Sequence, residues 1–504
     1  MLVEAILLLF VAALLIYLVT KENLPDNVPK GPLSFPGLGS LGSLGSLDYA
    51  LYLSDMRRLR DKYGDIFLMK MGSKYMVYLC NYQLVKEAFS SPHVVDRAQF
   101  KMLWFLTDGV PAGVLFTDGE QWSTLRKFLL RQMRTLGMGK SYMEDVIMKE
   151  ARKLAKDFEK RVDKPARIPK SVEVSVLNIV WRLVANKDYE YDDKKVIDLM
   201  DLMHQWFAYT GPMVLPDFFP ILNYLPKFLR NYLLKEHILD ELKKKCIEFT
   251  KETIEEHRAN LDCDNPLDVI DQYLIEIDEQ QKNPNGPQFK SDLDLTATIF
   301  DLFRAGFDTT SSTLRWLILY VASHPEVQRK LHEEIDSVLR SDEEISLNHK
   351  DSLPYLEATI YETHRYCSFA MAGLFHQTSK DIQLGGHTIP KGTHVYACQA
   401  LCHEDPNYWK EPEKFQPERF IDENGKFKPQ KESFMPFGIG RRQCIGEALA
   451  RMELYFFFAI ILQKFHFAPP EGVTLDLEPK QEPLVHYCKD QDLIITLRNT
   501  RPEE

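Results

Sequence analysis

The chain has 504 residues, 45% of them hydrophobic, and a formal net charge of −11. It exceeds the usual single-domain length, yet large enzymes of this size build one continuous core, and the acidic balance excludes nucleic acid as a global partner. The eight cysteines show no paired spacing, which excludes a disulfide-stapled scaffold and fits a reducing compartment.

The first predicted element is an apolar run over residues 5–19, preceded by Glu4 and followed by Lys21 and Lys30. A spanning helix needs roughly 17 residues at least. The run has no basic leader and no small-x-small cleavage site, so residues 1–20 read as an uncleaved membrane anchor rather than a signal peptide. Its flanking charges favour a cytosolic main body. Residues 21–48 recur in proline and glycine and read as a hinge or a simple spacer. A helical pattern over 49–63 leads into an alternating stretch, 65–80, folded around Gly72 and Ser73 as a hairpin. A short helix follows at 81–90, then Arg97, which alone reads as a surface arginine. Residues 104–116 are apolar without a period, so this loop must bury itself or cover something.

Trp122 and Arg126 stand four apart on one predicted helix face. An indole N–H beside a guanidinium suits a carboxylate; a cation–π pair is the plainer alternative. Arg126, Lys127, Arg131 and Arg134 crowd one short stretch of an acidic chain, either as a solvated face or as a docking patch for an acidic partner. Amphipathic helices fill 141–260. Within them 207–225 is apolar and broken by Pro212, Pro216 and Pro220, as core or as a lid over an access channel. Residues 279–291 are polar and expected to be mobile.

A long helix over 291–323 is stopped at His324-Pro325. Its middle, from Ala305 through Gly306, Asp308, Thr309 and Thr310 to Thr313, is made of poor helix formers, and such conflicts are where function is expected. Hydroxyls there can bond back to the i−4 carbonyl. Ala305 and Thr309 share a face, and Ala305 leaves room for a large planar ligand. A helix at 324–339 and another at 355–366 follow, the second carrying Glu362 and Arg365 three apart. Residues 382–395 alternate as strands, and 483–497 read as a last strand pair.

The stretch Phe434-Met435-Pro436-Phe437-Gly438-Ile439-Gly440-Arg441-Arg442-Gln443-Cys444-Ile445-Gly446 is too rich in glycine to be helix, and helical periodicity begins after it. Cys444 therefore sits at or just before a helix N-terminus, where N–H groups and the helix dipole favour a thiolate, the form that binds metal. Taken alone, such a cysteine is more often structural. No second pair at metal spacing supports zinc.

The full pattern from Phe437 through Gly440, Arg442 and Cys444 to Gly446 closely resembles the haem-binding signature of the cytochrome P450 family. The resemblance extends over nearly the whole chain, through Trp122 and Arg126, the Ala305–Thr310 motif, Glu362 with Arg365, and Arg419 after Pro417-Glu418. It implies a mainly α fold with small β-sheets, a triangular helical prism around a buried haem, behind an N-terminal membrane-anchor helix. It implies haem b with Cys444 as axial thiolate to iron. Phe437, Gly438 and Ala305 would pack on the ring, and Arg442, Trp122, Arg126, Arg97 and His376 would hold its propionates. Thr309 would keep the proton-delivering waters beside bound O2, and Asp308 would help feed them. Glu362, Arg365 and Arg419 would form a buried triad. Relatives commonly carry prolines where this chain has Met371 and Phe375.

The resemblance is to the animal microsomal group, which contains drug-oxidising and steroid-hydroxylating enzymes. It implies residence in the endoplasmic reticulum membrane with a catalytic domain, residues 49–504, facing the cytosol. No flavin or nicotinamide motif is present, so NADPH–cytochrome P450 reductase, with cytochrome b5 as a further donor, is the expected electron source. The expected reaction inserts one atom of O2 into a lipophilic steroid, fatty acid or xenobiotic. The alternative is a haem-thiolate lipid-binding or sensor protein without turnover.

Overall fold

A computed structural model describes residues 24–35, 39–40, 53–138, 141–282, 291–340, 343–480, 482 and 485–498. The expected anchor over residues 1–20 lies outside the described residues, as does most of 279–291. Among the described residues no helix is long and apolar enough to cross a membrane.

The expected hairpin is present. Strands β1 (Ile66–Met71) and β2 (Lys74–Leu79) pair antiparallel, and Gly72 makes the turn at φ 53°. The described part of 21–48 is not a free spacer. Leu68 N–H donates to the Lys30 carbonyl at 3.1 Å and Ser40 N–H to the Lys70 carbonyl at 2.6 Å, so this segment lies along β1. The helix Leu53–Tyr63 precedes the hairpin, and Tyr82–Ser90 follows it, capped by Asn81, whose side chain accepts from Leu84 N–H.

The sheet continues through elements distant in sequence, in the order β1-β2-β8-β5-β3. Here β3 is Asp96–Arg97, β5 is His376–Gln377 and β8 is His394–Ala397. Its last pairing sets Arg97 directly opposite His376. A second sheet joins β4 (Pro165–Arg167), β10 (Asp492–Leu497) and β9 (Phe465–Ala468), while β6 (Ile382–Leu384) and β7 (His387–Ile389) form a separate hairpin. The strand pair expected over 483–497 is therefore a single strand with partners from elsewhere. The residues before it are drawn instead toward the long helix, where the His486 carbonyl accepts from Trp316 Nε1 at 2.8 Å. The loop expected over 104–116 starts inside a 3-10 helix, Lys101–Thr107.

The long helix, Asp292–Ser323, runs through the middle of the molecule and is buried along most of its length. Ser291 caps it by accepting from Asp294 N–H, and Pro325 opens the next helix, Pro325–Val338. It packs against Ser171–Ala185, Pro354–Cys367 and Glu447–Lys464. Gly306 is explained by this packing. A Cβ there would lie 2.7 Å from Val180 Cγ2 on Ser171–Ala185. The helix Glu447–Lys464 is buried on every side from Met452 to Leu462, where every residue except Glu453 is apolar.

The ion triad forms as expected. Glu362 accepts from Arg365 Nε and Nη2, both at 2.8 Å, and from Arg419 Nε at 3.0 Å. Arg365 also donates to the carbonyls of His403, Pro412 and Lys414. The triad thus ties the helix Pro354–Cys367 to the irregular chain that leads into the cysteine loop.

Candidate functional site

The cysteine loop and the long helix face each other across a cavity of about 300 Å³. Cys444, Phe437 and Gly438 line one side, and Ala305, Thr309 and Thr310 the other. The loop's shape follows from its glycines. Gly438 and Gly440 have φ of 70° and 78°, and a Cβ on Gly440 would lie 2.5 Å from the Phe89 carbonyl oxygen. Cys444 N–H closes the turn on the Phe437 carbonyl at 2.9 Å. Gly446 differs from the other two. Its φ is −92°, and a Cβ would meet only the Cys444 sulfur, at 3.9 Å. The backbone there does not require glycine; the side of Cys444 is simply left open.

The thiol of Cys444 is open to the cavity yet enclosed by protein. Burial pushes its pKa up. The N–H groups of Gly446 and Glu447 and the Arg126 cation pull the other way, as a helix N-terminus should, but do not outweigh burial. A metal cation bound at the sulfur would reverse that balance.

Cations rim the cavity. Arg442 donates through Nε to the Val95 carbonyl at 3.0 Å, and through Nη2 to the Thr117 carbonyl at 2.7 Å and Asp118 Oδ1 at 2.8 Å. Its guanidinium carbon lies 3.9 Å from the Trp122 ring centroid. Its Nη1 is buried with no partner among the described residues. Arg97 donates to the Leu115 and Leu374 carbonyls, and its own N–H goes to Asp118. Arg126 donates to the Gln443 carbonyl at 2.5 Å, and its guanidinium carbon stands 6.0 Å from the Trp122 centroid. Burial and the neighbouring Arg442 bring the Arg97 pKa down to about 9; burial brings Arg442 down to about 10. Such a cluster is short of negative charge.

His376 reaches the same rim. Its ring stacks on Phe89 at 4.2 Å, and Nδ1 meets the Val94 carbonyl at 2.5 Å. Burial and the Arg97 cation hold its pKa well below the ordinary value. Nδ1 must carry the proton in that contact, so neutral His376 offers Nε2 only as an acceptor. It would need a second proton to donate to a carboxylate.

A flat group with two carboxylates suits this donor set. It would add negative charge to a cluster of three arginines that shares the single carboxylate Asp118, and would give Arg442 Nη1 a partner. His364 Nε2, Gln399 Oε1 and Glu453 Oε1 also line the cavity, buried and without a described partner. The residues present therefore fit a haem.

On the long helix, Thr309 Oγ1 donates to the Ala305 carbonyl at 2.9 Å, and Thr313 Oγ1 to the Thr309 carbonyl at 2.8 Å. The expected back-bonding is there. Asp308 faces elsewhere. It is buried, receives the Tyr487 hydroxyl at 2.5 Å on Oδ2, and has His204 Nε2 at 3.4 Å from Oδ1. Burial lowers the His204 pKa, but the Asp308 contact and the nearby Glu173 outweigh it and leave the pKa raised. Asp308 borders a second cavity of about 270 Å³, which shares Ala305, Thr309, Leu115 and Phe369 with the first. Met371 is buried, and Phe375 lines this second cavity, its ring packed against Phe100 and Tyr396.

Sequence reasoning missed Asp118, His204, Tyr487 and the pair Asp301 and Arg304. The last pair had a signal, since two opposite charges three apart interrupt an otherwise apolar helix. The others are brought in by tertiary contacts alone.

The sequence model of the family described as Cytochrome P450 matches residues 29–491. Cytochrome P450 2L1 of Panulirus argus is 39% identical over 494 residues, covering 96% of this chain and 97% of that protein. Cytochrome P450 2B19 of Mus musculus and Cytochrome P450 2B4 of Oryctolagus cuniculus are each 34% identical, over 482 and 484 residues, covering 94% of this chain and 95% of each relative.

Proposed function

The chain belongs to the cytochrome P450 family, and from that premise we propose how its own residues carry the reaction and where it works. It is a haem monooxygenase that acts on lipophilic substrates with O2 and electrons from a redox partner. When bound, a haem held by a cysteine thiolate would supply O2 activation and delivery of one oxygen atom.

We assign Cys444 as that ligand. The observation that carries the assignment is its position opposite Ala305 and Thr309, across one cavity rimmed by arginines, with Arg442 Nη1 left without a described partner. Arg442, Arg97 and Arg126 would hold the propionates, and Trp122 keeps the Arg442 guanidinium in place by stacking. Phe437 and Gly438 would support the ring from the cysteine loop, and Ala305 would leave it room on the long helix. Thr309 gives its proton to the Ala305 carbonyl, so its oxygen accepts from a water in the cavity. Asp308, one residue away, helps feed protons in, with the Tyr487 hydroxyl donating to its Oδ2 and His204 beside its Oδ1. His376 completes the rim and would donate from Nε2 to a propionate in its protonated form, Nδ1 being committed to the Val94 carbonyl.

Residues 1–20 anchor the protein in the endoplasmic reticulum membrane, 21–48 join that anchor to the body and are laid in part along β1, and 49–504 form the catalytic domain on the cytosolic side. NADPH–cytochrome P450 reductase supplies electrons, with cytochrome b5 as a second donor. The exposed Lys127, Arg131 and Arg134, on the helix that also carries Arg126, suit an acidic partner docking near Cys444. Nothing observed favours a binding-only role.

The test is reconstitution with the reductase in vesicles and a panel of lipophiles. Wild type should consume NADPH and form hydroxylated product, and Thr309→Ala should form less product per NADPH. Equal product yield in the variant would remove Thr309 from its assigned role.

A further inference from the structure

The second cavity is lined mainly by apolar side chains, among them Leu103, Phe207, Val214, Phe218 and Phe375. Two charged residues interrupt it, Arg304 and Asp308. Asp308 is answered by Tyr487 and His204. Arg304 is not answered to the same degree.

Arg304 is 5% exposed. Among the described residues its guanidinium has one hydrogen-bond partner, Asp301 Oδ1, at 3.2 Å from Nη2. Asp301 divides its charge, because Oδ2 accepts from Val114 N–H at 2.9 Å and Leu115 N–H at 3.0 Å. A guanidinium carries five N–H donors. The rings of Phe116, Trp206 and Phe300 surround this one, with centroids 5.0, 4.9 and 5.4 Å from its carbon. Ring faces attract the cation but offer no oxygen. Burial lowers the Arg304 pKa, and Asp301 restores only part of the loss. A buried cation with unused donors, set in the wall of an apolar cavity, is built to receive an anion.

We propose that Arg304 is the specificity-determining residue of the substrate cavity and that the preferred substrates are lipophilic carboxylic acids. This rests on the monooxygenase function above. The carboxylate takes the fork of Arg304 two N–H groups at a time, which a planar guanidinium matches and a lysine would not. Arg304 precedes Thr309 by five residues, about 7.5 Å along the helix axis. The apolar body therefore extends from Arg304 past Ala305 toward Thr309, and the oxidised carbon lies several bonds from the carboxylate. Asp301 pins the backbone at Val114 and Leu115 and leaves most of the fork free.

The experiment compares dodecanoate, methyl dodecanoate and 1-dodecanol on the purified holoenzyme. Binding is read by equilibrium dialysis and, in parallel, by the shift of the haem absorption band. Wild type should bind the acid about tenfold or more tightly than the ester, a difference of about 1.4 kcal/mol. Arg304→Gln should erase that preference by weakening the acid and leaving the ester nearly unchanged, and Arg304→Lys should restore part of it. Equal binding of acid and ester by wild type would overturn the proposal, and that comparison needs no variant. Equal weakening of acid and ester in Arg304→Gln would also overturn it, leaving Arg304 as a structural partner of Asp301. The carbon monoxide spectrum of the same sample separates the two levels. A thiolate-haem spectrum without acid preference defeats this inference alone, whereas absence of any haem spectrum defeats the reading beneath it as well.

Discussion

Replacing Glu362 with glutamine keeps the shape of the side chain and removes its charge. In the fold this carboxylate collects four hydrogen bonds: two from Arg365, one from Arg419 Nε and one from Gln416 N–H at 2.8 Å. Glu362 is completely buried, and the Arg365 side chain is 1% exposed. Glutamine offers one oxygen, and its amide N–H groups point at a guanidinium. Arg365 then remains buried as an uncompensated cation, a situation that costs about 3–5 kcal/mol. For 504 residues, at roughly 2.1 cal/mol/K each, the unfolding entropy is about 1 kcal/mol/K, so the expected fall in melting temperature is about 3–5 °C. Haem retention should fall with it, because Arg365 holds the chain at His403 and Pro412 that precedes the cysteine loop. Differential scanning calorimetry at a fixed scan rate measures the shift. Arg329→Gln is the control: it breaks the exposed pairs with Glu326 and Glu333 and should not move the transition measurably. A Glu362→Gln transition that overlays wild type, or an equal loss in the control, would refute the reasoning.

Arg442→Leu removes a charge-assisted contact to the expected propionate, worth about 1.5–3 kcal/mol. Haem affinity should fall about ten- to a hundredfold, seen as a lower ratio of Soret to protein absorbance; unchanged occupancy would argue against the rim. Gly306→Ala gains about 1 kcal/mol in helix propensity but drives a methyl against Val180 Cγ2, where overpacking costs about 1–3 kcal/mol. The thermal transition should drop, and adding Val180→Ala should restore it. His257 lies 2.9 Å from Asp268 Oδ2 and also meets the Thr253 carbonyl. Burial lowers its pKa, yet the Asp268 contact and charge outweigh this and leave it raised. Its contribution to stability is therefore complete below the unfolded pKa near 6.5 and is lost as pH rises through the folded value. The denaturant midpoint should decline across that rise in wild type and more weakly in His257→Gln.

The backbone of the site was more legible than its electrostatics. The long helix could be read because Ser291 and Pro325 mark its ends and its apolar residues repeat between them. The cysteine loop could be read because Gly438 and Gly440 carry a shape that few sequences tolerate. Gly306 was read only in part: it does line the cavity, but the crossing of Ser171–Ala185, which sets Val180 against it, is a second reason for glycine that no local pattern announces. Gly446 sits in the same glycine-rich stretch, yet its φ of −92° does not require glycine. Asp118 stayed hidden because its partners, Arg97 and Arg442, come from opposite ends of the chain. Tyr487 and His204 converge on Asp308 for the same reason, and no local pattern announces them. The end of the chain was assigned one strand too many, because the largely apolar residues 485–488 resemble a strand but are spent on contacts to the long helix.

The central claim is that Cys444 presents a thiolate to haem iron. The most direct test is the absorption spectrum of the purified, reduced protein with carbon monoxide bound, for wild type and for Cys444→Ser. The account predicts a strongly red-shifted Soret band in wild type that is lost in the variant. An identical red-shifted band in Cys444→Ser, or no haem spectrum from folded and haem-supplied wild type, would contradict it.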